Sequence, residues 1–167
     1  MSARFRLETL AKDHSRIAFT CGEENLDRYF RSQVTQDCRR HIANCFVAVD
    51  AVSGRVAAYY TLASASIPTP DLPAEITKHL PRYPSIPAVR IGRLAVDTRF
   101  HGQGLGKALL ADAAIKAISA TPASFALLVD AKNYQAVEFY QYHGFMPLNN
   151  SSNILFLPLA TAKKILF

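Results

Sequence analysis

The chain has no run of eighteen or more uncharged apolar residues, so a membrane-crossing helix is not expected. Arg4, Arg6, Glu8 and Lys12 interrupt its start, which excludes a basic-then-apolar leader and makes a cytoplasmic protein with no membrane partner the expectation. Cysteines are few. Cys21, Cys38 and Cys45 are odd in number and lack metal-ligand spacing, so free thiols in a reducing compartment are expected, with no metal and no thiol nucleophile. No internal repeat or low-complexity tail is present. With 167 residues, 50% of them hydrophobic, one compact domain spanning 1–167 is expected. Acidic residues are outnumbered, 13 against 19 Lys and Arg, and the net charge of +6 favours polyanionic partners.

The coarse order of elements follows from periodicity and turn chemistry. A strand is expected over 5–10 and a helix over 23–41, where Leu26, Phe30, Gln33, Val34 and Cys38 form a mostly apolar stripe at steps of three and four. A hairpin joins 45–50 to 55–63 around Ala51-Val52-Ser53-Gly54. Residues 67–87 hold six of the nine prolines, which argues against a continuous helix or central strand there. Strands are expected at 89–96, 125–130 and 154–159, with helices at 104–120 and 134–143. No assignment follows for 160–167.

Between the strand at 89–96 and the helix that follows lies His101-Gly102-Gln103-Gly104-Leu105-Gly106-Lys107-Ala108. Three alternating glycines before a helix start allow close backbone approach and aim N–H groups at one anion, so a phosphate-bearing cofactor is the first suspect. Spacing tests two owners. A P-loop aligned on Gly106-Lys107 puts His101 at its first glycine and Ala108 at the Mg²⁺-binding hydroxyl; a dinucleotide fingerprint puts Lys107 at its third glycine. Both fail. A plain strand-to-helix turn remains open on the residues alone. The string resembles the pyrophosphate loop of the GCN5-related N-acetyltransferases (GNAT), Gln/Arg-x-x-Gly-x-Gly/Ala, on His101, Gly104 and Gly106, with His101 in place of Gln or Arg. Downstream, Asn133-x-x-Ala136-x-x-Phe139-Tyr140-x-x-x-Gly144-Phe145 resembles that family's second cofactor-side segment.

This resemblance implies an α/β (α+β) fold, a mixed and mostly antiparallel sheet with helices on both faces and splayed central strands, and acetyl-CoA as cofactor. It implies cofactor contacts at Leu94, Ala95 and Val96, whose backbone can pair with the pantetheine arm, and at His101, Gly102, Gln103, Gly104, Leu105, Gly106 and Lys107 around the pyrophosphate. Asn133, Ala136 and Phe139 join that set, Asn133 as a cofactor anchor or as a helix cap. Periodicity alone would read Leu94 and Val96 as buried strand residues, and Tyr140 as a core aromatic beside Phe139. The family's general-acid role falls on Tyr140, a phenol with an ordinary pKa of about 10 facing a thiolate of about 8.5. No glutamate occupies Arg90 to Val96, where many members place a general base, and Asp97 serves either as a base or in a structural role. Without a base an α-amine, pKa near 8, is a better substrate than a lysine near 10.4.

A narrower resemblance covers most of the chain. Phe19-Thr20-Cys21-Gly22 through Leu26-Asp27-Arg28-Tyr29-Phe30, Tyr59-Tyr60-Thr61-Leu62-Ala63, Ile86-Pro87, Arg93-Leu94-Ala95-Val96-Asp97 and Phe100-His101-Gly102 resemble, in order, the acetyltransferase toxins of bacterial toxin–antitoxin pairs. This implies acetylation of the α-amine of aminoacyl-tRNA, blocked translation, a ribbon-helix-helix antitoxin and a homodimer. Arg31, Arg39, Arg40, Lys78, Arg82, Arg90 and Arg93 are the candidate phosphate contacts; singly, each also reads as a solvated surface charge. An N-acetyltransferase of a small amine or a protein N-terminus, and a catalytically inactive binding module of the same fold, are the alternatives.

Overall fold

The structure, a computed structural model, describes residues 4–166. Seven strands hydrogen-bond in the order β1-β2-β3-β4-β5-β7-β6, with β1 at Phe5–Thr9, β2 at Asn44–Asp50, β3 at Val56–Pro68, β4 at Ser85–Val96, β5 at Ala126–Asp130, β6 at Met146–Pro147 and β7 at Ile154–Pro158. Helices are α1 (Glu24–Ser32), α2 (Val34–Arg39), α3 (Ala74–Thr77), α4 (Leu105–Ser119), α5 (Tyr134–Tyr142) and α6 (Leu159–Ile165). The β1–β2, β2–β3, β5–β7 and β6–β7 pairs are antiparallel, whereas β4 and β5 are parallel and joined through α4. A parallel neighbour needs a crossover, and the loop and helix after β4 supply it.

The chain divides into two compact units, Met1–Ala63 with Gly92–Asp112, and Ser64–Ile91 with Ala113–Phe167. In the first, the apolar runs of β2 and β3 bury Cys45, Val47, Val49, Val56 and Tyr59 against Phe19, Tyr29, Phe30 and Val34. Phe30 stacks on Tyr59 at 4.2 Å between ring centres, and Phe19 meets both edge-on. In the second, Ile67, Leu72, Ile86 and Ala88 are buried with Ala126, Leu128, Leu148 and Phe156.

Two expectations change, and one segment without an assignment gains one. The helix expected over 23–41 is two helices that break at Gln33, which ends α1 by donating its backbone N–H to the Tyr29 carbonyl. Its side-chain amide donates to Gln36 and Asp37, 3.2 and 3.1 Å away, at the start of α2. Periodicity is blind to this, since Phe30 and Val34 stay one apolar step apart across the break. The proline-rich segment 67–87 is bounded by strand at both ends, and Pro87 lies inside β4. Its missing N–H costs nothing there: only its carbonyl is used toward the neighbouring chain, accepting the Phe125 N–H at 2.9 Å, and pairing with β5 begins at Ala88. Beyond Pro158 the chain forms α6; Phe167 lies outside the described residues. Ile165 of that helix closes over Gly144, where an added Cβ would sit 2.6 Å from its terminal methyl carbon and where φ is +97°. Conformation favours glycine at that position of the second motif, and the Ile165 methyl would have to move to admit a Cβ.

Candidate active site

The β4–β5 pairing runs from Ala88↔Ala126 to Ile91↔Val129, and β4 continues through Gly92 to Val96. At Gly92 a Cβ would stand 3.0 Å from Thr61 Oγ1, and that hydroxyl accepts the Arg93 N–H at 3.1 Å. A side chain thus takes a strand N–H at this point, and only glycine fits without displacing it. Thr61 and Gly92 were missed in the sequence, although glycine within a strand pattern signals close backbone approach.

Leu94 and Val96 are half-buried and Ala95 is buried in the first core. Directly after Val96, Asp97 is completely enclosed, its carboxylate accepting the Thr20 N–H (3.1 Å), the Arg99 N–H (2.9 Å) and the Arg99 guanidinium (3.0 and 2.9 Å). Burial alone would raise its pKa; the bonds from Arg99 and Thr20 outweigh that and hold it below the ordinary carboxylate range. Both oxygens are engaged, so Asp97 fixes the strand end and is no base.

The next residues form a short 3₁₀ turn, Thr98–Phe100, with Phe100 buried. His101 turns its ring back, Nε2 donating to the Val96 carbonyl at 2.8 Å. The imidazole of the departing motif position therefore ties loop to strand and takes one lone pair of a carbonyl expected to face pantetheine. Gly102 and Gly104 have φ of +77° and +78°, and a Cβ on either would meet nothing within 4 Å. They serve conformation, not packing. Leu105 is buried and anchors the start of α4, Gly106 lies in its first turn, and Gln103 and Lys107 are exposed. A fifteen-residue helix thus begins under an open, exposed loop. Its first-turn N–H groups have no intrahelical acceptor, which suits a pyrophosphate.

In the second unit, Asn133 caps α5, its Oδ1 accepting the Ala136 N–H at 2.9 Å. Of its two sequence readings the structure displays the cap, and the same bond uses the Ala136 N–H. Phe139 packs edge-on against Tyr140 and His143, at 5.2 and 4.8 Å. Tyr140 is buried between Phe139 and Phe145. Burial pushes its pKa upward, so the phenol stays protonated. No described residue hydrogen-bonds its hydroxyl, and no buried side-chain oxygen or nitrogen among the described residues lacks a partner. The ring is enclosed, and among the described residues the hydroxyl has no hydrogen-bond partner.

The seven basic candidates divide between the units. Arg31 is committed, donating to the Phe19 carbonyl at 2.9 Å and reaching Glu24 at 3.5 Å. The Arg93 guanidinium lies 3.5 Å over the Tyr29 ring centre, and the Tyr29 hydroxyl donates to Asp37 at 2.7 Å. Arg39 and Arg40 are exposed in the first unit, as are Lys78, Arg82 and Arg90 in the second. No group of three metal-ligating side chains, and no helix long and apolar enough to cross a membrane, occurs among the described residues.

Residues 82–158 match the acetyltransferase (GNAT) domain family. The chain is 34% identical over 130 residues to the tRNA-acetylating toxin of Mycobacterium tuberculosis, covering 77% of this chain and 76% of that protein. It superposes on AtaT complexed with acetyl-methionyl-tRNAfMet with a TM-score of 0.87 and 30% identity, over 98% of this chain and 99% of that one. A tyrosine-to-phenylalanine variant of AtaT bound to the C-terminus of the antitoxin AtaR and acetyl-CoA matches with a TM-score of 0.77 and 28% identity, over 98% and 96%. With an open glycine loop at a helix start and a buried tyrosine in the second motif, the chain belongs to the GNAT acetyltransferases, as an acetyltransferase toxin that uses acetyl-CoA.

Proposed function

We propose that this toxin acetylates the α-amino group of aminoacyl-tRNA and thereby blocks translation, with residues 1–167 acting as one domain. The observation that carries this is a paired one: the Tyr140 phenol has no hydrogen-bond partner among the described residues, and Asp97 beside the loop has both carboxylate oxygens engaged. Acetyl-CoA supplies an activated acyl carbon and a thiolate leaving group. The loop from His101 to Lys107 holds the pyrophosphate through main-chain N–H groups, and the free stretch of β4 at Leu94, Ala95 and Val96 lines up the pantetheine arm. Asn133, Ala136 and Phe139 keep α5 formed and Tyr140 in place.

Tyr140 donates a hydrogen bond to the departing sulfur. Full proton transfer is uphill, because a buried phenol is a weaker acid than the thiol that would form, about 8.5. The proton that finally reaches the thiolate comes from the attacking nitrogen by way of solvent. An α-amine with a pKa of about 8 is about one-tenth neutral at pH 7 and needs little help from a base, whereas a lysine at about 10.4 is less than about one-thousandth neutral and would need much more. Exposed Arg39, Arg40, Lys78, Arg82 and Arg90, with Arg93 steadied on Tyr29, supply phosphate contacts. A ribbon-helix-helix antitoxin, a homodimeric state and a cytoplasmic location complete the proposal.

The test is incubation with labelled acetyl-CoA and charged or uncharged tRNA. Label on the charged species alone is expected. Label on neither, or on lysine side chains instead, would overturn the substrate assignment.

A further inference from the structure

We propose that Tyr83 is a stacking platform for an unpaired nucleobase of the RNA, a role that rests on RNA being the substrate. Its ring is 61% exposed, although its backbone is fixed on every side. The Tyr83 N–H donates to the Pro81 carbonyl at 2.9 Å, the Thr69 hydroxyl donates to the Tyr83 carbonyl, and the Thr69 N–H donates to the Pro84 carbonyl at 3.0 Å. Prolines at 81 and 84 flank it closely and restrict the chain further. Asn149 secures the opposite arm of the same segment, its side-chain amide donating to the Pro70 and Leu72 carbonyls at 3.2 and 2.9 Å. Leu72 and Ile86 root both arms in the core. An apolar ring held in water by a rigid backbone gains little for the free protein. Its ordering is already accounted for when a flat ligand arrives.

Charge selects the ligand. From Ile76 through Val96 the sequence contains no Asp or Glu, while Lys78, His79 and Arg82, close to Tyr83 in sequence, are exposed. No side-chain partner among the described residues engages Lys78, His79 or Arg82. A stacking face near the unpaired cations Lys78 and Arg82 suits a base with its phosphates. The other exposed tyrosines lack this setting. Tyr142 meets the His143 ring edge-on at 5.1 Å, and Tyr134 has Glu138 one helical turn away.

The experiment uses the full chain with saturating acetyl-CoA and a charged tRNA, alongside filter binding of uncharged tRNA. Tyr83→Ala should raise both the KM for charged tRNA and the Kd for uncharged tRNA by about 5- to 150-fold, the range of one lost base stack. The effect should concentrate in KM, with Tyr83→Phe restoring it. If the wild type acetylates the tRNA and Tyr83→Ala matches it in both readouts, the stacking role falls and the substrate assignment stands. If the wild type acetylates no charged tRNA yet loses RNA affinity on Tyr83→Ala, the substrate assignment falls and stacking survives. A Tyr83→Ala defect confined to binding an antitoxin peptide would overturn the nucleobase assignment.

Discussion

The glycine loop after β4 and the end of α5 use different materials. At the loop, the proposed functional groups are main-chain N–H groups, and the side chains around them are scaffolding: His101 bonded to Val96, Asp97 enclosed by Arg99 and Thr20, Leu105 buried under the helix start. At α5 one side chain, Tyr140, is proposed to carry the chemistry, with its ring enclosed by Phe139 and Phe145. A site made of backbone is damaged by conformation, and a site made of one hydroxyl by deleting one atom. The first should fail in cofactor binding and the second in turnover.

Tyr140→Phe should cut kcat by about 10²- to 10³-fold, within the usual worth of a positioned proton donor. Because the ring remains, acetyl-CoA affinity by calorimetry should stay near wild type; a lost affinity would erase the contrast. Asp97→Asn strikes the scaffold of the loop. Replacing an engaged carboxylate that accepts four hydrogen bonds should cost about 1–3 kcal/mol of stability in urea unfolding. The sign with pH follows from a folded-state pKa held below the ordinary value. The wild-type advantage should be full above the unfolded carboxyl pKa of about 3.9 and vanish as pH falls through the lower folded value. An advantage that instead grows in acid would contradict this.

Gly104→Val comes next. Forcing a β-branched residue to a φ of +78° should cost about 1–2 kcal/mol in the loop, weakening acetyl-CoA about tenfold with kcat at saturation little altered. The smallest effect belongs to Asn133→Ala. Loss of the α5 cap should cost about 1 kcal/mol of stability, and an accompanying drop in acetyl-CoA affinity would show that Asn133 also anchors the cofactor.

How far the sequence revealed these regions follows from the same difference. Glycines at 102 and 104 were legible because only a few residues tolerate a positive φ, so the backbone requirement is written in the spacing. Tyr140 was legible as a letter in a motif, but its enclosed ring and free hydroxyl depend on Phe145, which reaches it through the turn at Gly144. Asp97 was ambiguous for a similar reason: three of its four bonds lie two residues away, and the fourth comes from Thr20, distant in sequence. Strands and long helices followed from periodicity, whereas the break at Gln33 rests on side-chain bonds that periodicity does not encode. Helix α6 escaped because seven residues with two lysines and a neighbouring proline give too short a pattern to read.

The most direct test is the single-turnover rate of acetyl transfer to a charged tRNA between pH 6 and pH 9, for the wild type and for Tyr140→Phe. A base-free attack assisted by a phenol predicts a rate that climbs as the α-amine loses its proton and levels off near its pKa, about 8. The variant should trace the same curve about 10²- to 10³-fold lower. A wild-type curve governed by a lower-pKa group on the protein, or a variant as fast as the wild type, would contradict it.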